Sequence, residues 1–277
     1  MSVAIRKKGE KASHLYLVGE DGAALRRLER IRGDKQDPDW SADGSRVVFR
    51  WLPRGDYSYT PIIRMNADGS HLANLSKVSG LVGWSPSWSP DGKRRVAAAR
   101  RSGGKLSLFT MAPDGTRVRL IFSPEREAQY PAWSPDGRSI AFTQVTTYAG
   151  FDLYSIRPDG TGLRRLTTDG RSNWAMWSPD SRLIAWGKEG PSGGEIWLMR
   201  RDGSQKRVLT RRWNPGVPGA WEPGRLGVPV HSARKRGHKP LQHPCRRHRL
   251  RLAVEWAGGR LSSVAPGQIG AESRSSL

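Results

Sequence analysis

The chain has 277 residues, and its 47 lysine and arginine residues against 25 aspartate and glutamate residues give a formal net charge of +22. Its single cysteine, Cys245, excludes an internal disulfide, and no apolar run approaches the ~18 residues that a membrane helix requires. Of the excess charge, +9 lies in the last 53 residues, where eleven basic residues accompany two acidic ones. The rest is spread thinly, so we expect no nucleic acid partner.

The chain opens on "SVAIR", which matches the second strand of the repeats that follow it. Third and fourth strands are predicted after it, ending near Arg30. The same segment lacks the seven or more apolar residues and the cleavage site of a signal peptide, so we expect no export of the chain as written.

A tryptophan-containing motif then recurs every 44 to 48 residues. Its copies are "DWSADGSRVVF" at Trp40, "SWSPDGKRRVA" at Trp88, "AWSPDGRSIAF" at Trp133, "MWSPDSRLIAW" at Trp177 and a degenerate "AWEPGRLGV" at Trp221. Within "SPDG", proline presets φ, aspartate tolerates the next position and glycine supplies a positive φ, which predicts a tight hairpin turn. Apolar residues alternate after the turn and predict a strand.

A second motif is interleaved with the first and keeps the same period. It places Asp-Gly pairs between apolar segments at Asp21, Asp68, Asp114, Asp159 and Asp202, which are 43 to 47 residues apart. One period therefore holds four short strands, which is typical of a propeller blade. The predicted fold class is an all-β propeller of four-stranded antiparallel blades over residues 1–224, with five blades visible and six possible if the ring is incomplete. A β-solenoid would need shorter repeats.

Some repeats depart from the pattern. Ala42 replaces the turn proline, and "KRRVA" places a charge or an extra residue where an apolar residue belongs. Ser181 replaces the turn glycine and must adopt a positive φ at a cost of about 1 kcal/mol. The recurrent tryptophans are interpreted as packing between blades.

Residues 225–277 are predicted to form a separate basic tail, because aspartate disappears after Gly224. The tail is either disordered or the product of a frameshift within "WEPGRLG". A further hairpin is not seen at residues 246–248, where the period would place it. The strand missing from the first blade is expected to come from residues 217–221, which would close a five-bladed ring.

The two motifs together resemble the PD40 repeat, a WD40-like repeat of TolB-type propellers, over residues 3–224. The same repeat occurs in propellers that precede prolyl-oligopeptidase-like hydrolase domains. The resemblance implies a non-enzymatic scaffold that binds a protein or peptide, and it implies a periplasmic or extracytoplasmic location, whereas the missing leader indicates the cytoplasm. The alternative is the propeller remnant of a prolyl-oligopeptidase-like serine peptidase without its catalytic domain.

No recognised catalytic motif is present. The chain has no G-x-S-x-G elbow, P-loop or dinucleotide-binding glycine motif, and turn positions account for its recurrent aspartates. The cluster of His238, His243, Cys245 and His248 matches no standard zinc spacing. We therefore expect no catalytic residue, cofactor or metal.

Strand order predicts two different faces. The "SPDG" and "DG" corners share one face, and the opposite face carries variable loops beginning at Trp51, Thr143 and Gly187, together with the links between blades. We expect a monomer that binds a protein or peptide through residues of this second face: Arg54, Asp56, Tyr57, Tyr59, Trp84, Tyr130, Tyr148, Trp174 and Trp213.

Overall fold

The computed structural model describes residues 2–5, 12–18, 25–28, 31–53, 59–147, 150–190 and 193–213. These residues form five antiparallel sheets, of which four have four strands and the first has three. Each sheet pairs its strands in chain order. The predicted propeller of small antiparallel blades is confirmed.

The strands of the five blades are as follows. The first blade contains β1 (Ser2–Ile5), β2 (His14–Val18) and β3 (Leu25–Arg27). The second contains β4 (Asp34–Trp40), β5 (Arg46–Leu52), β6 (Ile62–Asn66) and β7 (Ala73–Asn74), and the short helix α1 (Leu75–Ser79) follows it. The third contains β8 (Val82–Trp88), β9 (Arg95–Arg100), β10 (Ser107–Met111) and β11 (Arg119–Phe122). The fourth contains β12 (Ala128–Trp133), β13 (Ile140–Val145), β14 (Phe151–Ile156) and β15 (Arg164–Arg165). The fifth contains β16 (Ser172–Trp177), β17 (Leu183–Gly190), β18 (Gly193–Arg200) and β19 (Arg207–Trp213).

The tight corners repeat one hydrogen-bond pattern. In the fourth blade, Ser134 Oγ donates to Asp136 Oδ1 at 2.6 Å, and the N–H of Ser139 donates to Ser134 Oγ at 2.9 Å. Serine and aspartate form the same pair at three further corners: Ser41 with Asp43, Ser89 with Asp91, and Ser178 with Asp180. Each corner is therefore braced by hydrogen bonds among its own residues.

The hydrophobic core lies between blades. Each of four tryptophans packs into a cluster that joins its own blade to the preceding one: Trp40, Trp88, Trp133 and Trp177. All four are at most 8% exposed. The interpretation of these residues as equivalent packing positions is confirmed. Trp221 lies outside the described residues.

The inner strands β4, β8, β12 and β16 contact one another in consecutive blades. Each contains one register shift, and a residue with positive φ lies at each shift: Asp37, Ser85, Tyr130 and Trp174, with φ of 51°, 48°, 49° and 56°. These are β-bulges, which bend a strand and redirect a side chain. Their occupants share no residue type, so the sequence did not predict them.

The loops are shorter than the sequence predicted. Strands continue through Leu52, Val145 and Gly190, so Trp51, Thr143 and Gly187 are paired in strands instead of opening loops. The cause is backbone pairing, which extends a hairpin regardless of side-chain polarity.

Two departures from the repeat have structural outcomes. Ser181 adopts the positive φ that was predicted, at 60°. Arg95 takes the place of an apolar residue, since it pairs with Trp88 as Val47 pairs with Trp40. It is only 1% exposed, so the third blade contains a buried arginine where its neighbours have aliphatic side chains.

The predicted tail of residues 225–277, the expected closing strand at 217–221 and the His238 to His248 cluster lie outside the described residues. Within the part of the chain that the structure describes, no helix is long and apolar enough to cross a membrane.

Candidate functional site on the loop face

The antiparallel order of each sheet separates two faces. We call the face with the turns at 41–45, 89–94, 134–139 and 178–182 the corner face. The loop face carries the described parts of the connections between second and third strands, at 101–106, 146–147 and 150, and the links between blades, at 123–127 and 166–171. The loop face therefore holds the segments that vary in length and composition.

The predicted site residues lie in different kinds of position in the fold. Trp84, Tyr130 and Trp174 lie within inner strands and not in the links between blades, which corrects their predicted location. Trp213 is the last residue of β19. Tyr59 lies before β6 and is 41% exposed. The remaining predicted residues lie outside the described residues: Arg54, Asp56, Tyr57 and Tyr148.

Bulge residues of neighbouring blades contact each other in pairs. Ser85 donates to Asp37 Oδ2 from its N–H at 3.2 Å and from its hydroxyl at 3.1 Å. The rings of Tyr130 and Trp174 lie 6.0 Å apart, and the N–H of Trp174 donates to Thr143 Oγ1 at 3.3 Å. The structure thus brings two of the predicted aromatic residues together between the fourth and fifth blades.

Trp84 packs against a buried ion pair between Arg50 and Asp37. Arg50 lies over the Trp84 ring at 5.1 Å from its centroid, and its Nε is 3.4 Å from Asp37 Oδ2. Both charged side chains are at most 5% exposed. This network satisfies a buried carboxylate and holds the second blade against the third.

A polar cleft opens on the loop face beside the fourth and fifth blades, with a volume of about 750 Å³. Three separate segments line it: the link at 125–126, the connection at 144–147 with Gly150, and the link at 168–171, with Asp152, Arg165 and Glu189. Its lining includes both acidic and basic side chains. Its lining therefore suits a ligand that carries hydrogen-bond donors, acceptors and charges of both signs.

Asp152 organises the floor of the cleft. Its carboxylate is 1% exposed and accepts hydrogen bonds from Arg165 Nη2 at 2.7 Å, Thr167 Oγ1 at 3.0 Å and the N–H of Gly170 at 3.1 Å. The hydrogen bond to Asp152 raises the pKa of Arg165 above its ordinary value. The link between the fourth and fifth blades is thereby fixed at both ends.

The cleft wall contains a second ion pair and an unpaired amide. Lys188 Nζ lies 2.9 Å from Asp169 Oδ2. Burial raises the pKa of Asp169, but hydrogen bonds from the Arg171 N–H, Lys188 and Ser172 outweigh it, and the pKa is lower than usual. Gln144 Oε1 is buried and has no hydrogen-bond partner among the described residues.

Sequence reasoning missed the cleft because its lining comes from segments of different blades. The one available signal was the pair of threonines, Thr146 and Thr147, in the segment after Thr143. No group of three metal-binding side chains occurs among the described residues.

An antiparallel sheet of four short strands, repeated in register and packed blade on blade, defines the class: an all-β propeller. The family model of the TolB beta propeller domain (PD40) matches residues 73–243, which is more than half of the chain. The chain belongs to the TolB β-propeller domain family.

Solved structures agree on the fold. TolB from Acinetobacter baumannii superposes with a TM-score of 0.68 at 18% identity, covering 80% of this chain and 55% of that one. A proposed TolB from Agrobacterium tumefaciens gives 0.64 at 19% identity and covers 76% of each chain. A prolyl endopeptidase gives 0.52 at 15% identity, covering 78% of this chain and 34% of that one. No curated protein resembles the chain closely enough in sequence to match it.

Proposed function

We propose that the propeller is a non-enzymatic module that binds a protein or peptide on its loop face. The observation that carries the proposal is the cleft of about 750 Å³ with its charged rim. A peptide offers hydrogen-bonding backbone groups and charged side chains for both signs of the rim. Variable segments on a rigid scaffold are where proteins usually place recognition.

The Tyr130–Trp174 pair supports the same location. Both aromatic residues are half-buried and belong to the inner strands of the fourth and fifth blades. The cleft is lined by residues of the same two blades. Aromatic side chains contribute large contact areas at protein interfaces. The same two blades therefore offer a partner aromatic contacts in addition to the polar cleft.

The test begins with affinity capture on the full chain in extract of the source organism, followed by titration of the identified partner. Reversing charge in the cleft, with Arg171→Glu or Glu189→Lys, is expected to weaken binding at least ~10-fold, since both side chains are exposed on the rim. Arg138→Glu, an exposed arginine on the corner face, is the matched control. If all three variants weaken binding equally, or none does, the partner does not bind through the cleft on the loop face.

The alternative is the propeller part of a prolyl-oligopeptidase-like peptidase, which the likeness to a third of a prolyl endopeptidase favours. The two functions differ in what the neighbouring coding sequence holds, because a reading frame that continues into a domain with a G-x-S-x-G motif would favour the peptidase. A direct assay tests whether the chain itself has peptidase activity. We expect the chain to release no chromophore from a short proline-containing chromogenic peptide. Turnover that survives repurification would overturn the non-enzymatic proposal.

A further inference from the structure

We propose that the interface between the second and third blades binds a small oxyanion, such as phosphate, sulfate or a carboxylate, through Arg46, Arg64 and Arg95. The register of the sheets carries the three side chains to this interface. Arg46 alternates with Val48 and Arg64 with Ile62, and both apolar residues belong to the cluster that faces the third blade. Arg95 alternates with Ala97 of the same cluster.

Arg95 is the unusual member of the three. Its equivalents in the other blades are Val47, Ile140 and Ile184, all fully buried. One nitrogen, Nη2, reaches the carbonyl oxygen of Ala112 at 3.5 Å, whereas Nε and Nη1 are buried without a hydrogen-bond partner. A buried guanidinium without a carboxylate is costly, and a bound anion would offset that cost.

The surroundings of Arg95 are positively charged. Burial is the main cause that lowers its pKa, to about 9, and the charges of Arg64 and Arg46 lower it further. The acid that acts in the opposite direction is Asp114, but its carboxylate already accepts hydrogen bonds from Thr116 N–H at 2.9 Å and Thr116 Oγ1 at 2.6 Å. The Trp88 ring, 4.5 Å from the guanidinium carbon, offsets part of the charge.

The group of three arginines is open on one side. Arg46 is exposed and Arg64 is half-buried. A shallow cavity of about 400 Å³ adjoins Arg46 and is also lined by Ser45, Asn66, Ala67 and Asp68. An anion entering from solvent therefore meets Arg46 and Arg64 first, with the charge of Arg95 behind them. Guanidinium groups suit oxyanions because their N–H donors match the spacing of the oxygens.

The equivalent positions at the next two interfaces do not repeat the cluster. Between the third and fourth blades, Thr110 and Ile140 replace Arg64 and Arg95. Between the fourth and fifth, Ser155 and Ile184 do so. The three arginines therefore belong to one interface and are not a general feature of the corner face.

The test is calorimetric melting of the full chain in anion-poor buffer, with phosphate, sulfate or acetate added and ionic strength held constant with sodium chloride. Phosphate and sulfate are expected to raise the melting temperature with saturation in the millimolar range, because ligands of the native state stabilise it. A rise in melting temperature with acetate would show that the site also binds carboxylates, and a rise with phosphate and sulfate alone would show that it selects tetrahedral oxyanions. Equilibrium dialysis with labelled phosphate should find one site per chain.

Three variants sharpen the result. Arg95→Ile, which restores the residue type of the other blades, should melt higher without anion and lose the saturable rise. Arg64→Gln should weaken phosphate binding at least ~10-fold. Arg94→Gln removes an exposed arginine that faces the next interface, and it should behave as the parent chain does.

Sulfate and phosphate also stabilise many proteins by exclusion from their surfaces. That effect rises without saturation and is the same in every variant. A linear rise that Arg95→Ile retains, or the absence of labelled phosphate in dialysis, would overturn the site.

Discussion

Single residues explain why the repeats differ from one another. Ser181 stands where the other corners have glycine, and its positive φ of 60° carries the strain expected for a residue with a side chain. The structure adds a compensation that the sequence could not show. Ser181 Oγ accepts a hydrogen bond from the N–H of Asp136, 45 residues earlier, at 2.9 Å. The serine therefore joins the fifth blade to the fourth.

Two substitutions at this position separate strain from hydrogen bonding. Ser181→Ala keeps the strained φ and loses the bond, so we expect it to lower the free energy of unfolding by about 1–2 kcal/mol. Ser181→Gly also loses the bond but relieves about 1 kcal/mol of strain, so its net effect should be close to zero. Urea denaturation measures both.

Gly137→Ala is the matched control, since Gly137 holds the equivalent corner of the fourth blade with φ of 72° and alanine brings no hydroxyl. It adds strain and should cost about 1 kcal/mol. If Ser181→Ala matches the parent chain, the hydrogen bond to Asp136 contributes nothing to stability.

At the level of the blade, the glycine in the corner between third and fourth strands controls how closely neighbouring sheets approach. A Cβ on Gly69, whose φ is 90°, would lie 1.9 Å from the carbonyl oxygen of Leu28 in the first blade. The corresponding glycine of the fourth blade, Gly160, would bring its Cβ to 2.8 Å from the carbonyl oxygen of Ile121. The corner between third and fourth strands thus rests directly on the backbone of the preceding blade.

Gly69→Ala should therefore lower the free energy of unfolding by at least ~2 kcal/mol, because the added methyl group meets backbone and the φ becomes unfavourable. Gly92→Ala is the control: its φ is 66°, but no atom lies within 4 Å of the added Cβ. We expect it to cost about 1 kcal/mol. Equal losses in urea denaturation would mean that only φ matters and that the contact between blades does not.

The sequence predicted those elements whose residue types recur from blade to blade. The corners and tryptophans recur with the same residue types, so their strands and packing could be predicted. The bulges could not, because Asp37, Ser85, Tyr130 and Trp174 share a backbone conformation and no side-chain property. The cleft could not either, since Asp152, Asp169 and Glu189 meet only after separate blades have packed.

For the whole molecule, the corner aspartates connect stability to pH. Hydrogen bonds from the Ser41 hydroxyl and from Ser45 lower the pKa of Asp43 to about 2. Hydroxyl groups of serine or threonine likewise lower the pKa of aspartates at other corners: Asp68, Asp114, Asp180 and Asp202. The same turn recurs around the propeller, so small effects of one sign accumulate.

The sign follows from linkage. These carboxyl groups have a lower pKa in the folded state than the ordinary value of about 3.9 in the unfolded chain, so the unfolded state takes up protons first. Their contribution is present above the unfolded-state pKa of about 3.9 and is lost as the pH falls through their lowered folded-state pKa values. We therefore expect the urea midpoint to be constant from pH 7 to 5 and to fall steeply below pH 4.

The excess of 47 basic over 25 acidic residues also favours acid unfolding through repulsion, and salt screens that term. The titration is therefore repeated in high sodium chloride, where the loss due to hydrogen-bonded carboxylates should persist. A variant with Asp68→Asn, Asp114→Asn and Asp202→Asn should show a shallower fall than the parent chain, because fewer lowered pKa values remain. A fall that salt abolishes and that the variant reproduces in full would assign acid unfolding to net charge, and the corner carboxylates would then have no part in the pH dependence.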